Sequence, residues 1–224
     1  MKITHTKFAK LAAALLLASL PAWPQAAANA NSGYKTKEGR DRVAGTLSDP
    51  HRDDRQKPVE LVASMNLKPG MSVVDIGTGV GYMLPFLSHA VGASGKVYGE
   101  DIQTDFLERA KAKAAEDKLT NVQLILGTDT DAKLPPESAD AALVLDVYHH
   151  FDYPDKMLAS IHRGLKPGGH LVIVDFYKKS SPSPGHIRLD RDEVAKEVES
   201  NGFHLIDQRE HIPTQYMLTF EKTR

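Results

Sequence analysis

The fold is decided by the stretch Asp75-Ile76-Gly77-Thr78-Gly79-Val80-Gly81-Tyr82, which places three glycines at alternate positions directly behind a short apolar run. That run, Met71 to Ile76, is rich in β-branched residues and follows the turn signal Lys68-Pro69-Gly70, so it predicts a buried strand. Apolar residues at helical spacing follow from Met83 to Val91. Glycine permits positive φ and close approach of a ligand, and the N–H groups that open a helix attract anionic or polar groups. The stretch therefore predicts a strand, a glycine loop and a helix that cradle a nucleotide-like ligand.

The spacing of the glycines distinguishes two kinds of nucleotide site. A dinucleotide-binding loop has the pattern Gly-x-Gly-x-x-Gly, whereas here the third glycine, Gly81, comes four residues after Gly77. The acid two positions before the first glycine, Asp75, is unfavourable beside a pyrophosphate and suits a ligand with an ammonium group. The loop resembles motif I of the class I S-adenosylmethionine-dependent methyltransferases. The resemblance implies that the methionine half of that cofactor is held by Asp75, Gly77, Thr78, Gly79 and Gly81. A tight strand-to-helix turn without a ligand is the alternative.

A second strand is predicted from Lys96 to Ile102, about 25 residues after the first, and it carries two acids near its end. An acid at the end of this strand is placed to accept hydrogen bonds from ribose hydroxyls. Alignment with the family assigns that role to Asp101, with Ile102 beside it as a further cofactor residue. Glu100 takes a position that is usually apolar.

The third predicted strand, Val122 to Leu126, follows an amphipathic helix over Thr104 to Lys118. It runs into the polar sequence Gly127-Thr128-Asp129-Thr130-Asp131. The resemblance implies that an acidic or polar side chain here meets the adenine amino group, and we assign this contact to Asp129, with Thr128 and Asp131 as the other candidates. A solvated acidic turn is the alternative.

The fourth predicted strand, Ala139 to Val147, carries Asp146 near its end and leads into Tyr148, His149 and His150. Strand ends in doubly wound sheets face the ligand crevice, so these residues are expected near the transferable methyl group. Asp146 is assigned to the cofactor. The three residues after the strand are the candidate catalytic groups, as a general base or as groups that position the acceptor, because histidine titrates in the physiological range. Packing or capping is the alternative.

The loop from Tyr177 to Asp190 follows the fifth strand and is expected to overhang the same crevice. Its His186 and Arg188 are candidates for binding an anionic acceptor, and a solvated loop with incidental charges is the alternative. No metal site is predicted, because the spacing of Asp146, His149, His150 and His186 matches no metal-binding motif.

The remaining elements complete one α/β domain. A helix from Pro154 to Leu165, the turn Lys166-Pro167-Gly168-Gly169 and an apolar strand, His170 to Phe176, again resemble the family. Two runs at the end of the chain, Phe203 to Arg209 and Tyr216 to Lys222, are joined by a short loop and predict an antiparallel pair. The predicted fold is a single Rossmann-like doubly wound sheet, mostly parallel, with an antiparallel C-terminal strand pair.

The first thirty residues have the pattern of a secretory signal peptide. Three lysines precede the apolar run Leu11 to Leu20, and Ala28-Asn29-Ala30 is a small-residue cleavage site. The run is too short to span a bilayer, which requires about 20 residues. We therefore expect an exported protein, periplasmic or secreted, cleaved near Ala30, with no stable membrane insertion. A polar extension over 31–55, which lies over the site or forms a partly mobile arm, and a cofactor-binding domain over 56–224 follow.

Charge and composition narrow the function classes. Removal of residues 1–30 takes away three of 28 Lys and Arg and none of 29 acids, which leaves a net charge of about −4. This balance does not predict a nucleic-acid surface. The chain has no cysteine, so no disulfide or thiolate metal site is possible.

The sequence as a whole predicts methyl transfer from S-adenosylmethionine to a small-molecule acceptor by in-line displacement. The sulfonium methyl is already activated, so such a site needs mainly alignment and exclusion of water. Two alternatives stay open, an exported nucleoside-binding pseudoenzyme without turnover and an NAD-dependent oxidoreductase.

Overall fold

A computed structural model describes residues 26–181, 183 and 185–223, which build one seven-stranded sheet. Its strands are β1 (Ser72–Ile76), β2 (Lys96–Asp101), β3 (Val122–Leu126), β4 (Ala139–Leu145), β5 (Leu165–Phe176), β6 (Phe203–Ile212) and β7 (Gln215–Lys222). They lie in the order β3-β2-β1-β4-β5-β7-β6, and β7 is antiparallel to both of its neighbours. This confirms the predicted doubly wound sheet with an antiparallel C-terminal pair.

Helices cover both faces of the sheet and precede it. They are α1 (Lys37–Leu47), α2 (Arg52–Gln56), α3 (Pro58–Ser64), α4 (Leu84–Val91), α5 (Thr104–Glu116), α6 (Pro154–Gly164) and α7 (Arg191–Glu199). Short 3₁₀ turns occur at Ala30–Tyr34, Tyr148–His150 and Lys178–Ser180. Within the part of the chain that the structure describes, no helix has the length and apolar character needed to cross a membrane.

The central strands are apolar on both sides because each face of the sheet is covered. Val73 packs with Leu84 on one face, and the next residue, Val74, packs with Leu158 on the other. Successive strand residues point to opposite faces, so a strand buried on both faces reads as a continuous apolar run. This explains why β1 has no polar residue between Ser72 and Asp75.

β5 is longer than the predicted strand, since it begins at Leu165. Leu165 pairs with Ala139 and His170 with Ala141, so the four residues from Lys166 to Gly169 bulge out between two paired positions. Gly168 has a φ of +72°. The predicted turn is therefore an interruption inside a strand whose pairing resumes after the bulge.

The polar segment before the domain is folded. Tyr34, Val43 and Leu47 pack around Ala44, Val80 and Phe106 in a small separate core. The predicted signal peptide lies largely outside the described residues, and its limits and those of the domain stay predictions. Its last residues are described, and there the Ala26 N–H donates to the Asp152 carbonyl oxygen over 3.1 Å.

Candidate functional site

A cavity of about 320 Å³ opens at the carboxyl ends of β1, β2 and β4. β1 lies between β2 and β4, so this is the point where the strand order reverses and where doubly wound sheets bind ligands. The lining residues come from the glycine loop, the ends of β2 and β4, and the segment before the domain. They include Gly77, Gly79, Glu100, Asp101, Ile102, Asp129, Asp146 and His150, with Asn31, Tyr34, Leu47 and Arg52 opposite.

The glycine loop is built from residues in the left-handed region. Gly77, Gly79 and Gly81 have φ values of +69°, +55° and +87°. A Cβ on Gly77 would lie 2.6 Å from both Cγ atoms of Val147, and one on Gly79 would lie 3.0 Å from Cδ1 of Leu47. Glycine is therefore required for two reasons. The backbone has a positive φ, and the neighbouring side chains leave no space for a Cβ atom.

Two of the predicted cofactor acids organise the loop. Asp75 is buried and its Oδ2 accepts a hydrogen bond from the Thr78 hydroxyl over 2.7 Å. Asp101 accepts the backbone N–H groups of Gly79 and Gln103, each over 2.8 Å. Burial raises the pKa of Asp75 to about 7 and that of Asp101 to about 6. Both carboxyl groups therefore change charge close to physiological pH.

Glu100, at the position that is usually apolar in the family, faces the cavity rather than solvent. Its side chain is buried at the cavity, where Oε2 lies 3.4 Å from the Gly77 nitrogen and Oε1 has no hydrogen-bond partner among the described residues. Burial, followed by the charge of Asp101, raises the pKa of Glu100 well above its usual value. Burial therefore favours the neutral form of this carboxyl group over the ionised one.

The third predicted region contributes unequally to the cavity. Asp129 lines it, and the exposed Ile102 presents an apolar face from β2. The Thr128 hydroxyl instead accepts the Asp131 N–H over 3.0 Å and so closes a local turn. Of these residues, the geometry brings Asp129 and Ile102 to the cavity.

Asp146 stands at the end of β4 with a φ of +56°, an uncommon conformation for a residue other than glycine. The Gln215 side chain donates to its Oδ1 over 2.5 Å, and the Arg52 guanidinium lies 3.9 Å from its Oδ2. Strained backbone of this kind is found at functional sites more often than elsewhere. Burial, followed by repulsion from Asp175, raises the pKa of Asp146 to about 7.

Two predicted site residues, Tyr148 and Arg188, share one partner and do not line the cavity. The Tyr148 hydroxyl donates to Glu197 over 2.6 Å, and Arg188 forms an ion pair with the same carboxylate. Tyr148 is 1% exposed. Neither residue is among those that line the cavity within the described chain. Their catalytic and acceptor-binding roles stay predictions, and the contacts favour a packing role.

The two adjacent histidines diverge in their partners. Nδ1 of His149 lies 2.7 Å from Asp175 Oδ1, whereas Nδ1 of His150 lies 2.9 Å from Asn31 Oδ1. Burial disfavours the charged form of His149, but Asp175 outweighs burial and raises its pKa. Burial and the charge of His149 lower the pKa of His150 and of His186. His150 lines the cavity, and His186 reaches the histidine pair from the loop after β5.

The sequence predicts an extension that lies over the site, but it does not identify which residues of the N-terminal segment form the cavity wall. Asn31 donates through Nδ2 to the His150 carbonyl oxygen and to Asp152, both over 3.0 Å. Tyr34 packs edge-on against His150, with ring centroids 5.0 Å apart. An aromatic residue in an otherwise polar stretch was the available signal, but no local pattern indicates its distant partner.

The chain resembles known methyltransferases in structure and sequence. A solved SAM-dependent methyltransferase from Aquifex aeolicus is 28% identical with a TM-score of 0.77, over 81% of this chain and 98% of that one. A ubiquinone/menaquinone biosynthesis C-methyltransferase from Shewanella frigidimarina is 27% identical over 168 residues, 66% of this chain and 65% of the relative. An arsenite methyltransferase from Halobacterium salinarum is 26% identical over 128 residues, 57% of this chain and 32% of the relative. The chain thus spans about a third to two thirds of the length of these curated relatives.

The fold and the glycine loop define a class I S-adenosylmethionine-dependent methyltransferase domain. The chain belongs to the methyltransferase domain family, which matches residues 67–218. The cofactor of this class is S-adenosylmethionine, and the site fits it. Left-handed glycines leave a cradle without Cβ atoms, and Asp101 reaches the cavity edge where a ribose would lie.

Proposed function

We propose that this protein transfers the methyl group of S-adenosylmethionine to a small-molecule acceptor. The observation that carries the proposal is the cavity itself, in which the glycine loop and Asp101 face His150 across a space of about 320 Å³. The family match supports methyl transfer, and the enclosing N-terminal segment supports a small acceptor. A cavity walled on this side admits a molecule more readily than a folded macromolecule.

The cofactor residues divide the cavity by chemistry. Asp101 would hold the ribose hydroxyls, and Ile102 and Asp129 would contact the adenine. The glycine loop would hold the methionine half, with Asp75 beneath it. Arg52 is 13% exposed and lies near this end, where its guanidinium suits the methionine carboxylate.

The protein contributes alignment, desolvation and proton handling. Bound S-adenosylmethionine supplies an activated methyl group. His150, at the cavity wall, is placed to orient an acceptor or to take its proton, and the low pKa keeps its imidazole neutral. Tyr34 and Leu47 shield the cavity from water on the outer side.

Calorimetric titration with S-adenosylmethionine, S-adenosylhomocysteine and NAD tests the proposal directly. We expect micromolar binding of both S-adenosyl ligands and none of NAD, after which a screen with labelled methyl groups identifies the acceptor. Binding without transfer to any acceptor would favour the nucleoside-binding pseudoenzyme. Tight binding of NAD alone would restore the oxidoreductase alternative.

Export belongs to the same proposal and rests on the sequence of residues 1–30. Mass determination of the protein recovered from the cell envelope is the test. A mature N-terminus at Asn31 supports cleavage after Ala30, and an intact Met1 in a cytoplasmic fraction contradicts it.

A further inference from the structure

Three histidines that are distant in sequence meet beside the cavity. His149 and His150 belong to the 3₁₀ turn after β4, and His186 belongs to the loop between β5 and α7. One ring nitrogen from each lies within 4.8 Å of the others. The ring centroids are 4.1 Å apart for His149 and His150, and His186 lies 5.1 and 5.6 Å from them. The three side chains thus form one group around a common point.

Hydrogen bonds fix the tautomer of two of these rings. The Asp175 carboxylate accepts from Nδ1–H of His149, and it is itself held by the backbone N–H groups of His149 and Phe176, over 3.0 and 2.7 Å. Asn31 uses its amide nitrogen on two groups that only accept, a carbonyl oxygen and the Asp152 carboxylate. Its Oδ1 must therefore accept from Nδ1–H of His150. In the neutral form of each ring, which is the form that binds a metal, the lone pair is therefore on Nε2.

We propose that His149, His150 and His186 form a site for a divalent transition metal of the zinc type. Three imidazole ligands suit zinc, and a three-histidine site keeps a position open for water or substrate. Zinc–nitrogen bonds of about 2.0–2.1 Å place tetrahedral ligands roughly 3.3 Å apart, so modest inward movement of the rings completes the site. His186 lies on a loop, which makes that movement possible.

The surroundings of the histidines have the pattern that supports metal ligands. A ligating histidine usually donates its second N–H to a carboxylate or to another oxygen acceptor, which orients the ring and strengthens the ligand. His149 has Asp175 in this position and His150 has the Asn31 amide oxygen. Asp175 is 1% exposed and places a buried negative charge next to the proposed cation.

The site deepens the proposed function and rests on it for the identity of the acceptor. His150 lines the cofactor cavity, so a metal held by the three imidazoles would lie next to the space where an acceptor would bind. A metal lowers the pKa of a coordinated hydroxyl or thiol. With Nε2 of His150 bound to the metal, this histidine would not act as the base, and the coordinated group would release its proton to solvent. It would keep the electron pair that forms the new bond to the methyl carbon, while the carbon–sulfur pair stays on sulfur. The acceptor class is thus a molecule with an ionisable O–H or S–H group.

Cobalt and zinc titrations of the tag-free, full-length, chelator-treated protein test the site. We expect one equivalent of Co²⁺ to give the visible absorption of a tetrahedral or five-coordinate centre and Zn²⁺ to displace it. His186→Ala and His150→Gln should each weaken Zn²⁺ binding at least tenfold, and Asn31→Ala by about 10- to 100-fold as the loss of an orienting partner. His204→Ala is the matched control, because His204 is exposed on β6 and far from the cluster in the sheet order.

Parallel titration with S-adenosylhomocysteine separates the two proposals and reports folding. Loss of Zn²⁺ binding in His186→Ala, with ligand affinity intact, supports the metal site. Equal Zn²⁺ affinity in wild type and in His186→Ala and His150→Gln overturns it. Zn²⁺ binding without any S-adenosyl affinity would keep the metal site and defeat the proposed function.

Discussion

The two sides of the cavity are built in different ways. The cofactor side comes from β1, its glycine loop and β2, and its hydrogen bonds join residues within about 25 positions of each other, such as Gly79 and Asp101. The histidine side depends on Asn31, which bonds His150 and Asp152 at 119 and 121 positions away. A side made from one local motif can be read from sequence, whereas a side assembled from distant segments requires the fold.

The largest effect is expected from Gly77→Ala on the cofactor side. The new Cβ would meet Val147 at 2.6 Å on a backbone with positive φ, which costs about 1–3 kcal/mol of stability for the conformation alone. We expect S-adenosylhomocysteine affinity to fall at least about 100-fold, because the loop must shift. Gly45→Ala is the control, since its Cβ meets nothing within 4 Å in helix α1 and should be neutral or stabilising. Equal S-adenosylhomocysteine affinity in both variants would show that the glycine loop does not hold the ligand.

Asp101→Asn comes next and tests the ribose contact. The amide keeps the size of the side chain but loses the charge that Gly79 and Gln103 bind. A weakening of roughly 1–3 kcal/mol, or about 5- to 150-fold in Kd, is expected from unpaired buried groups. Calorimetry gives the Kd, and an unchanged value removes Asp101 from the site. Asp117→Asn serves as control, because Asp117 pairs with Lys113 on the outside of the domain.

The pH dependence of S-adenosylhomocysteine binding tests the two acids on the cofactor side of the cavity. The pKa values of Asp75 and Asp101 are raised to about 7 and 6, above the ordinary value of 3.8. Stability from these two groups is therefore fully present below pH 3.8 and is lost as pH rises through 6 to 7. Ligand binding has the opposite pH dependence, because the ammonium group of the ligand's methionine half binds the ionised carboxylates more tightly than the neutral carboxyl groups. We expect affinity for S-adenosylhomocysteine to be roughly tenfold higher at pH 8 than at pH 5.5, and Asp75→Asn to flatten that rise.

The smallest effect on the site is expected from Tyr148→Phe. Removal of the hydroxyl leaves Glu197 paired with Arg188 and costs about 1 kcal/mol of stability in denaturant unfolding. Cofactor affinity and kcat/KM should stay within twofold of wild type, because the hydroxyl bonds Glu197 and Tyr148 is not among the residues that line the cavity. A large fall in kcat with unchanged stability would give Tyr148 the catalytic role that the sequence suggests.

The sequence was sufficient for the fold because its signals are local. Apolar strands, the glycine loop and the short connection between β6 and β7 each predict their own element, and together they define the sheet. The bulge before His170 was missed because a Pro-Gly-Gly run is typical of a turn, and only pairing with β4 shows that the strand continues. For the site, Asp101 and Gly79 were assigned from the motif. Asn31, Tyr34 and Asp175 were not, since their roles depend on partners that no spacing rule connects.

The cavity wall has a consequence for how acceptor choice can change between relatives. Asn31, Tyr34 and Leu47 line the cavity, yet all precede residue 67, where the shared family region begins. In the proposed function, the shared family region therefore binds the methyl donor, and the preceding segment shapes the adjacent space for the acceptor. Under the proposed function, a change in the short preceding segment would leave the strand ends unaltered, and the same methyl donor would then serve a different acceptor.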